Sequence, residues 1–225
     1  MCGRYALHSR DRIRLKGAPA LDLPFEPRYN IAPSQAITTI VDFGRGPELL
    51  PMVWGLIPSW SSDGKGLINA RAETLEEKPS FSESFRLRRC LIPADGFYEW
   101  KRSGRSKQPF YFQMEDESPF AFAGIWDKWQ NRDQSSISCA IITTPPNELV
   151  EELHDRMPAI LLPEFFEAWL DLNTDRAELQ QLLTPVPASK MKMYPVSGAV
   201  NSPDNEGVKL VEHVEFESGT TPSLF

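Results

Sequence analysis

Twenty prolines lie scattered through 225 residues, with no low-complexity tract to collect them. Each proline holds φ near −65° and removes a backbone donor, so the chain favours short strands, rigid turns and few long helices. The 41% of hydrophobic residues is enough for one sizeable core at this length. Alternation, or short apolar runs bounded by turn residues, predicts strands at 3–7, 36–41, 49–54, 89–93, 97–101, 109–114, 120–126, 138–143 and 159–162. Helical candidates are fewer, at 9–15, 72–78, 80–86, 146–153, 163–170 and 175–183. In the fifth, Pro163 initiates a helix whose aromatics, Phe165, Phe166 and Trp169, read as a buried face. Two stretches, 60–66 and 102–107, read as exposed loops. No repeat or compositional break asks for a second domain. The expectation is one strand-dominated α+β domain over residues 1–211, with 212–225 as a flexible C-terminal tail.

No apolar run approaches the ~20 residues of a membrane span, and the arginine-bearing N-terminus lacks a signal-peptide core. A cytoplasmic or nucleoid setting is therefore expected. Cys2, Cys90 and Cys139 are odd in number and widely spaced, which argues against a disulfide framework or a zinc-cysteine site. His8, His154 and His213 are isolated, so a multi-histidine metal centre has little to build on; a carboxylate-rich magnesium site is an open but unmarked alternative, and the expectation is no metal and no cofactor. The net charge of −7 argues at first against nucleic acid. Its distribution is uneven: residues 1–114 carry a net +5 and residues 115–225 a net −12. A globally acidic protein can carry a basic groove, and the local field governs phosphate contacts. Ordinary solvated surface charge explains the same numbers equally well.

Cys2 adds chemistry that no internal cysteine has. Removal of Met1 puts an α-amine and a thiol on adjacent carbons, with reference pKa values of roughly 8 and 8.5. Such a 1,2-aminothiol condenses with an aldehyde to an imine, and its thiol then closes a five-membered thiazolidine intramolecularly.

Four polar clusters accompany it. Asn69 and Arg71, two apart before a helix-like segment, suit a sugar or carbonyl oxygen and a phosphate, or else a cap and a surface ion pair. Glu99 lies amid the aromatics of Asp95-Gly96-Phe97-Tyr98-Glu99-Trp100, where desolvation raises a carboxyl pKa; an outward-facing strand acid is the other reading. His154 ends an acidic helix-like stretch, fit for proton transfer near pH 7, for a Cys-His protease pair, or for a structural role. Trp60, beside the 60–66 loop, suits base stacking better than Trp54, whose default is the core.

In combination, Met1-Cys2-Gly3-Arg4-Tyr5, Arg28-Tyr29-Asn30-Ile31-Ala32-Pro33, Trp54-Gly55-Leu56-Ile57-Pro58, Asn69-Ala70-Arg71-Ala72-Glu73-Thr74, the Pro93 to Trp100 segment and His154-Asp155-Arg156-Met157-Pro158 resemble the SRAP family, the SOS response-associated peptidases. The match runs from residue 2 to about Asn201. The resemblance implies a barrel-like, mostly antiparallel core flanked by short helices, and a groove for single-stranded DNA. It implies covalent capture of abasic sites by the mature Cys2, with Asn69 and Glu99 positioning and polarising the sugar and His154 assisting proton transfer. Arg4, Arg71 and Arg156 would contact phosphates, while Pro33 and Trp60 would line the bend of the strand. Ser61 stands where relatives often carry a second aromatic, and Met157 where some carry a basic residue. The implied partner is abasic DNA at a replication fork or primer-template junction, bound by a monomer, with lyase and autoproteolytic side activities.

Two other functions compete. A cysteine peptidase or N-terminal-nucleophile amidohydrolase would use Cys2 with its amine or His154 as base. A non-enzymatic single-strand-binding module would bind DNA salt-dependently and without regard to Cys2.

Overall fold

The computed structural model describes residues 2–9, 26–103 and 106–215. Five strands make the first sheet. β1 (Tyr5–Leu7) lies between β2 (Arg28–Ile31) and β7 (Gly96–Ser103), and β8 (Ser106–Met114) lies between β7 and β13 (Met191–Pro195), all antiparallel. Its central hairpin is held by cross-strand aromatic pairs: Phe97 stacks on Phe112 at 4.9 Å, and Tyr98 tilts over Tyr111 at 5.0 Å. Glycine is required at position 96, because a Cβ there would sit 2.3 Å from Tyr111 Cζ and 2.4 Å from Phe112 O.

The second sheet is mixed. β3 (Ala36–Asp42) and β4 (Pro47–Trp54) form a hairpin, and β6 (Arg89–Ala94) joins β3 to β9 (Phe120–Gln130). β10 (Ser135–Thr144) is antiparallel to β9 yet parallel to both β4 and β5 (Asn69–Arg71). Short β11 (Met157–Pro158) pairs with β10, and β12 (Ile160–Leu161) with β9. The barrel-like, mostly antiparallel core expected from the sequence is present, short of strict closure. The pairings do lead from β10 back to β4, but through only two residue pairs, Ser138 with Val53 and Cys139 with Trp54, so the sheet curls around the core without closing into a barrel. The class, a mixed α+β fold of one domain, stands.

Helices are short and peripheral: α1 (Ser82–Leu87), α2 (Glu148–Glu151), α3 (Phe166–Leu170) and α4 (Arg176–Leu182). Asn147 and Asp175 cap α2 and α4 by accepting the Val150 and Glu178 N–H groups. Trp169 and Phe166 are buried as expected, whereas Phe165 is exposed. The helix expected at 72–78 is a single 3₁₀ turn, Ala72–Thr74. The hairpin of β7 and β8 runs through most of the stretch read as a loop at 102–107, because backbone pairing continues to Ser103 and Ser106. The helix read at 9–15 and the tail from residue 216 lie outside the described residues; within 212–215, His213 bridges to Val196.

One interruption shapes the functional end. β4 and β5 lie in succession along the same edge of β10, and residues 55–68 leave the sheet between them. Gly55, at φ +142°, and Gly66 close the base of this excursion, where a Cβ on Gly66 would meet Gly55 O at 2.9 Å. Ser59 N–H donates to Asp127 and Trp129 Nε1 donates to Ser61 O, so the loop is held on the sheet with Trp60 at its tip.

Candidate active site

Cys2 enters just ahead of β1 and is fully buried against the main core. Its carbonyl accepts a hydrogen bond from Asn69 Nδ2 at 3.0 Å, which ties the N-terminus to the first residue of β5. Asn69 Oδ1 is buried and has no hydrogen-bond partner among the described residues. Leaving such an acceptor unsatisfied costs about 1–3 kcal/mol, so the oxygen is available to a donor from outside them.

Glu99, on β7, is 4% exposed. Burial raises its carboxyl pKa above the ordinary 4.5, as does Asp155, while neighbouring positive charge that includes His154 opposes the rise. Burial also raises the Cys2 thiol pKa, and the Glu99 charge adds to it. Cys2 is therefore a thiol at neutral pH and needs a proton acceptor when it attacks. His154 Nδ1 lies 2.9 Å from Asp155 Oδ1 and 3.0 Å from the Arg156 N–H. A bare Nδ1 accepts from Arg156, and a protonated one donates to Asp155, so the imidazole has a partner in either state.

Glu99 and His154 face a groove of about 940 Å³, also lined by Gly3, Arg4, Trp100 and Leu153. Arg4 is anchored: its Nη1 donates to Asn30 Oδ1 at 2.7 Å and to Val200 O at 2.8 Å. Arg156 forks onto Glu73, at 2.5 and 2.9 Å, and donates to Thr143 O at 2.6 Å. The fork holds the Glu73 carboxyl below its usual range. Arg71, paired in register with Thr143, is exposed beside this clamp. The fold thus brings Cys2 beside Asn69 and Glu99, and Glu99 onto one groove with His154 and Arg4. It places Arg71 and Arg156 at the β5 end, where Arg156 is already committed to Glu73.

The match to the family described as SOS response associated peptidase (SRAP) spans residues 1–203. The chain belongs to the SRAP family. Among similar proteins of that kind, the abasic site processing protein YoqW of Bacillus subtilis is 47% identical over 222 residues, covering 94% of this chain and 99% of that one. The abasic site processing protein YedK of Escherichia coli is 31% identical, covering 95% and 100%. HMCES of Xenopus tropicalis, also named an abasic site processing protein, is 30% identical, covering 89% and 70%. A crystal structure from Bacteroides thetaiotaomicron matches the fold with a TM-score of 0.76 at 32% identity, over 83% of this chain and 85% of that one.

Pro33 and Trp60, the two remaining residues expected at this SRAP site, are not among those that line the groove. Pro33 opens a turn in which Ser34 takes φ 70° and donates to Trp54 O at 2.8 Å, so it lies near the root of the 55–68 loop. Trp60 is 64% exposed, while Trp54 is wholly buried with its Nε1 on Ile68 O. Asn30 is the residue that sequence reading passed over. It is fully buried, accepts from Arg4, and donates to Ser202 O and Asn205 O at 2.8 and 2.9 Å. The only sequence signal was its place within Arg28 to Pro33, since its partners are 26 and more than 170 residues away.

Proposed function

We propose that this SRAP protein processes abasic sites in single-stranded DNA by covalent capture through the mature Cys2. The observation that carries this reading is the convergence of Cys2, Asn69 with its unsatisfied Oδ1, and the buried Glu99 beside one groove. The names of the relatives, abasic site processing proteins at up to 47% identity, support the same substrate.

An abasic deoxyribose opens to a C1 aldehyde. The Cys2 amine, freed by loss of Met1, adds to C1, and water leaves as Glu99 in its protonated form gives a proton to the departing hydroxyl. The Cys2 sulfur then bonds to the imine carbon. Its proton passes through Glu99 or His154 to the nitrogen, and the thiazolidine forms without further loss of atoms. Asn69 Oδ1 accepts a hydrogen bond from the sugar or the amine and fixes the near-attack geometry. Arg4 and Arg71 contact phosphates, and Arg156 braces β5 through Glu73. Trp60 and Pro33 receive bases unstacked at the bend. An imine that does not close is open to β-elimination, which is the lyase side activity, and release of Met1 is the autoproteolytic one. The protein works in the cytoplasm on nucleoid DNA, as a monomer at replication forks.

Intact-protein mass spectrometry before and after incubation with single-stranded DNA carrying one abasic site tests the scheme. Loss of Met1 and then a heat-stable adduct, lighter by one water than the sum of its parts and absent in Cys2→Ser, is expected. A processed protein without adduct, or Cys2→Ser with undiminished adduct, overturns it; peptide cleavage in trans by the processed protein would favour the hydrolase reading.

A further inference from the structure

β7 is a strand with one covered and one open edge. On one side it pairs with β8 along its whole length, from Gly96 with Gln113 to Ser103 with Ser106. On the other side β1 reaches only Phe97 and Gly96, and the last contact is the Tyr98 N–H on Arg4 O at 3.0 Å. Trp100 and Lys101 of β7 line the groove that holds Glu99 and His154. Lys101 and Lys107 line the same groove, both are exposed, and neither enters an ion pair among the described residues. Trp100 is pinned between them and the site by its Nε1 hydrogen bond to Asn201 Oδ1 at 2.6 Å, so this wall has a fixed shape.

Another part of the lining has the opposite sign. It is the end of α2, where Glu152 lines the groove and Glu148 and Glu151 precede it. A polyanion entering the groove is repelled by the acidic part and attracted by the lysines, which sets the side on which its backbone runs. An exposed lysine is a point charge on a flexible stem, suited to phosphate without base preference.

Resting on the lesion-capture reading above, we infer that Lys101 on β7 and Lys107 on β8, where the hairpin lines the groove, bind phosphates of the DNA strand that leads away from the captured sugar. The subsite is independent of sequence and of the covalent step, and it extends the groove beyond Arg4.

The experiment is fluorescence anisotropy with a single-stranded oligonucleotide carrying a tetrahydrofuran abasic analogue, which has no aldehyde and so reports binding alone. Wild type, the Lys101→Ala/Lys107→Ala pair and the Lys101→Arg/Lys107→Arg pair are titrated across a salt series. Single strands give a slope in log affinity against log salt of about 0.7 per neutralised phosphate, so the alanine pair loses roughly 1.4 from the slope while the arginine pair keeps it. An alanine pair with unchanged slope and affinity overturns the inference, as does an arginine pair as weak as the alanine pair. Wild type is run in parallel on aldehyde-bearing abasic DNA. No adduct there overturns the capture reading, whereas an adduct with unaltered slopes in the variants overturns the subsite alone.

Discussion

At the scale of single residues, Glu99 had two readings from its neighbours, desolvated among aromatics or outward-facing on a strand, and its burial decides for the first. A carboxyl with a raised folded-state pKa holds its proton at a pH where the unfolded chain has lost it. The folded state then binds more protons, so stability falls as pH rises from about 4.5 through the raised value. Glu99→Gln removes this slope, and urea unfolding between pH 4 and neutrality will read a flatter profile in the variant. The same substitution removes the proton donor, and adduct formation will slow by roughly a hundredfold in a single-turnover gel assay. Cys2 and Glu99 were both legible in the sequence, one from its position after Met1 and the other from its aromatic setting. The unsatisfied Asn69 Oδ1 was not, because a missing partner is a property of what surrounds the atom.

At the scale of elements, the β7–β8 hairpin and the 55–68 loop do different work. Gly96 permits the hairpin to pass Tyr111 and Phe112; Gly96→Ala will destabilise the protein by about 3 kcal/mol through overpacking, measured by thermal or urea unfolding. Trp60 is mostly exposed, so Trp60→Ala will leave the melting temperature nearly unchanged. It will weaken binding to single-stranded abasic DNA by about 1–3 kcal/mol, the scale of one base-aromatic stack, as read by anisotropy. Every strand read from alternation in the sequence is present, most of them longer than read, because ladder hydrogen bonds extend pairing beyond the apolar run that begins it. The four strands that were not read, β2, β5, β11 and β13, are two to five residues long, too short for a period to stand out from the flanking sequence. They exist because a neighbouring edge offers partners, as β10 does for Asn69, Ala70 and Arg71.

At the scale of the whole molecule, residues far apart in the chain close the site together. Asn30 joins Arg4 to the turn around Ser202 and Asn205, uniting three segments in one buried amide. Asn30→Ala leaves a guanidinium and two carbonyls short of a partner, and will cost roughly 3 kcal/mol in urea unfolding while reducing adduct yield. The charge asymmetry of the chain reappears in the groove, where Lys101 and Lys107 of the β7–β8 hairpin and Glu152 at the end of α2 are all lining residues. That placement puts two exposed lysines on one groove of a protein whose net charge is −7.

Scattered prolines, short alternating runs and the aminothiol at position 2 are local properties, and they sufficed for a strand-rich α+β fold with Cys2 chemistry at its start. Curling of the second sheet without closure, the open edge of β7, the burial of Glu99 and the commitment of Arg156 to Glu73 came only with tertiary structure. Each depends on which segments meet, and pairing partners separated by tens to hundreds of residues leave no periodic trace in either partner.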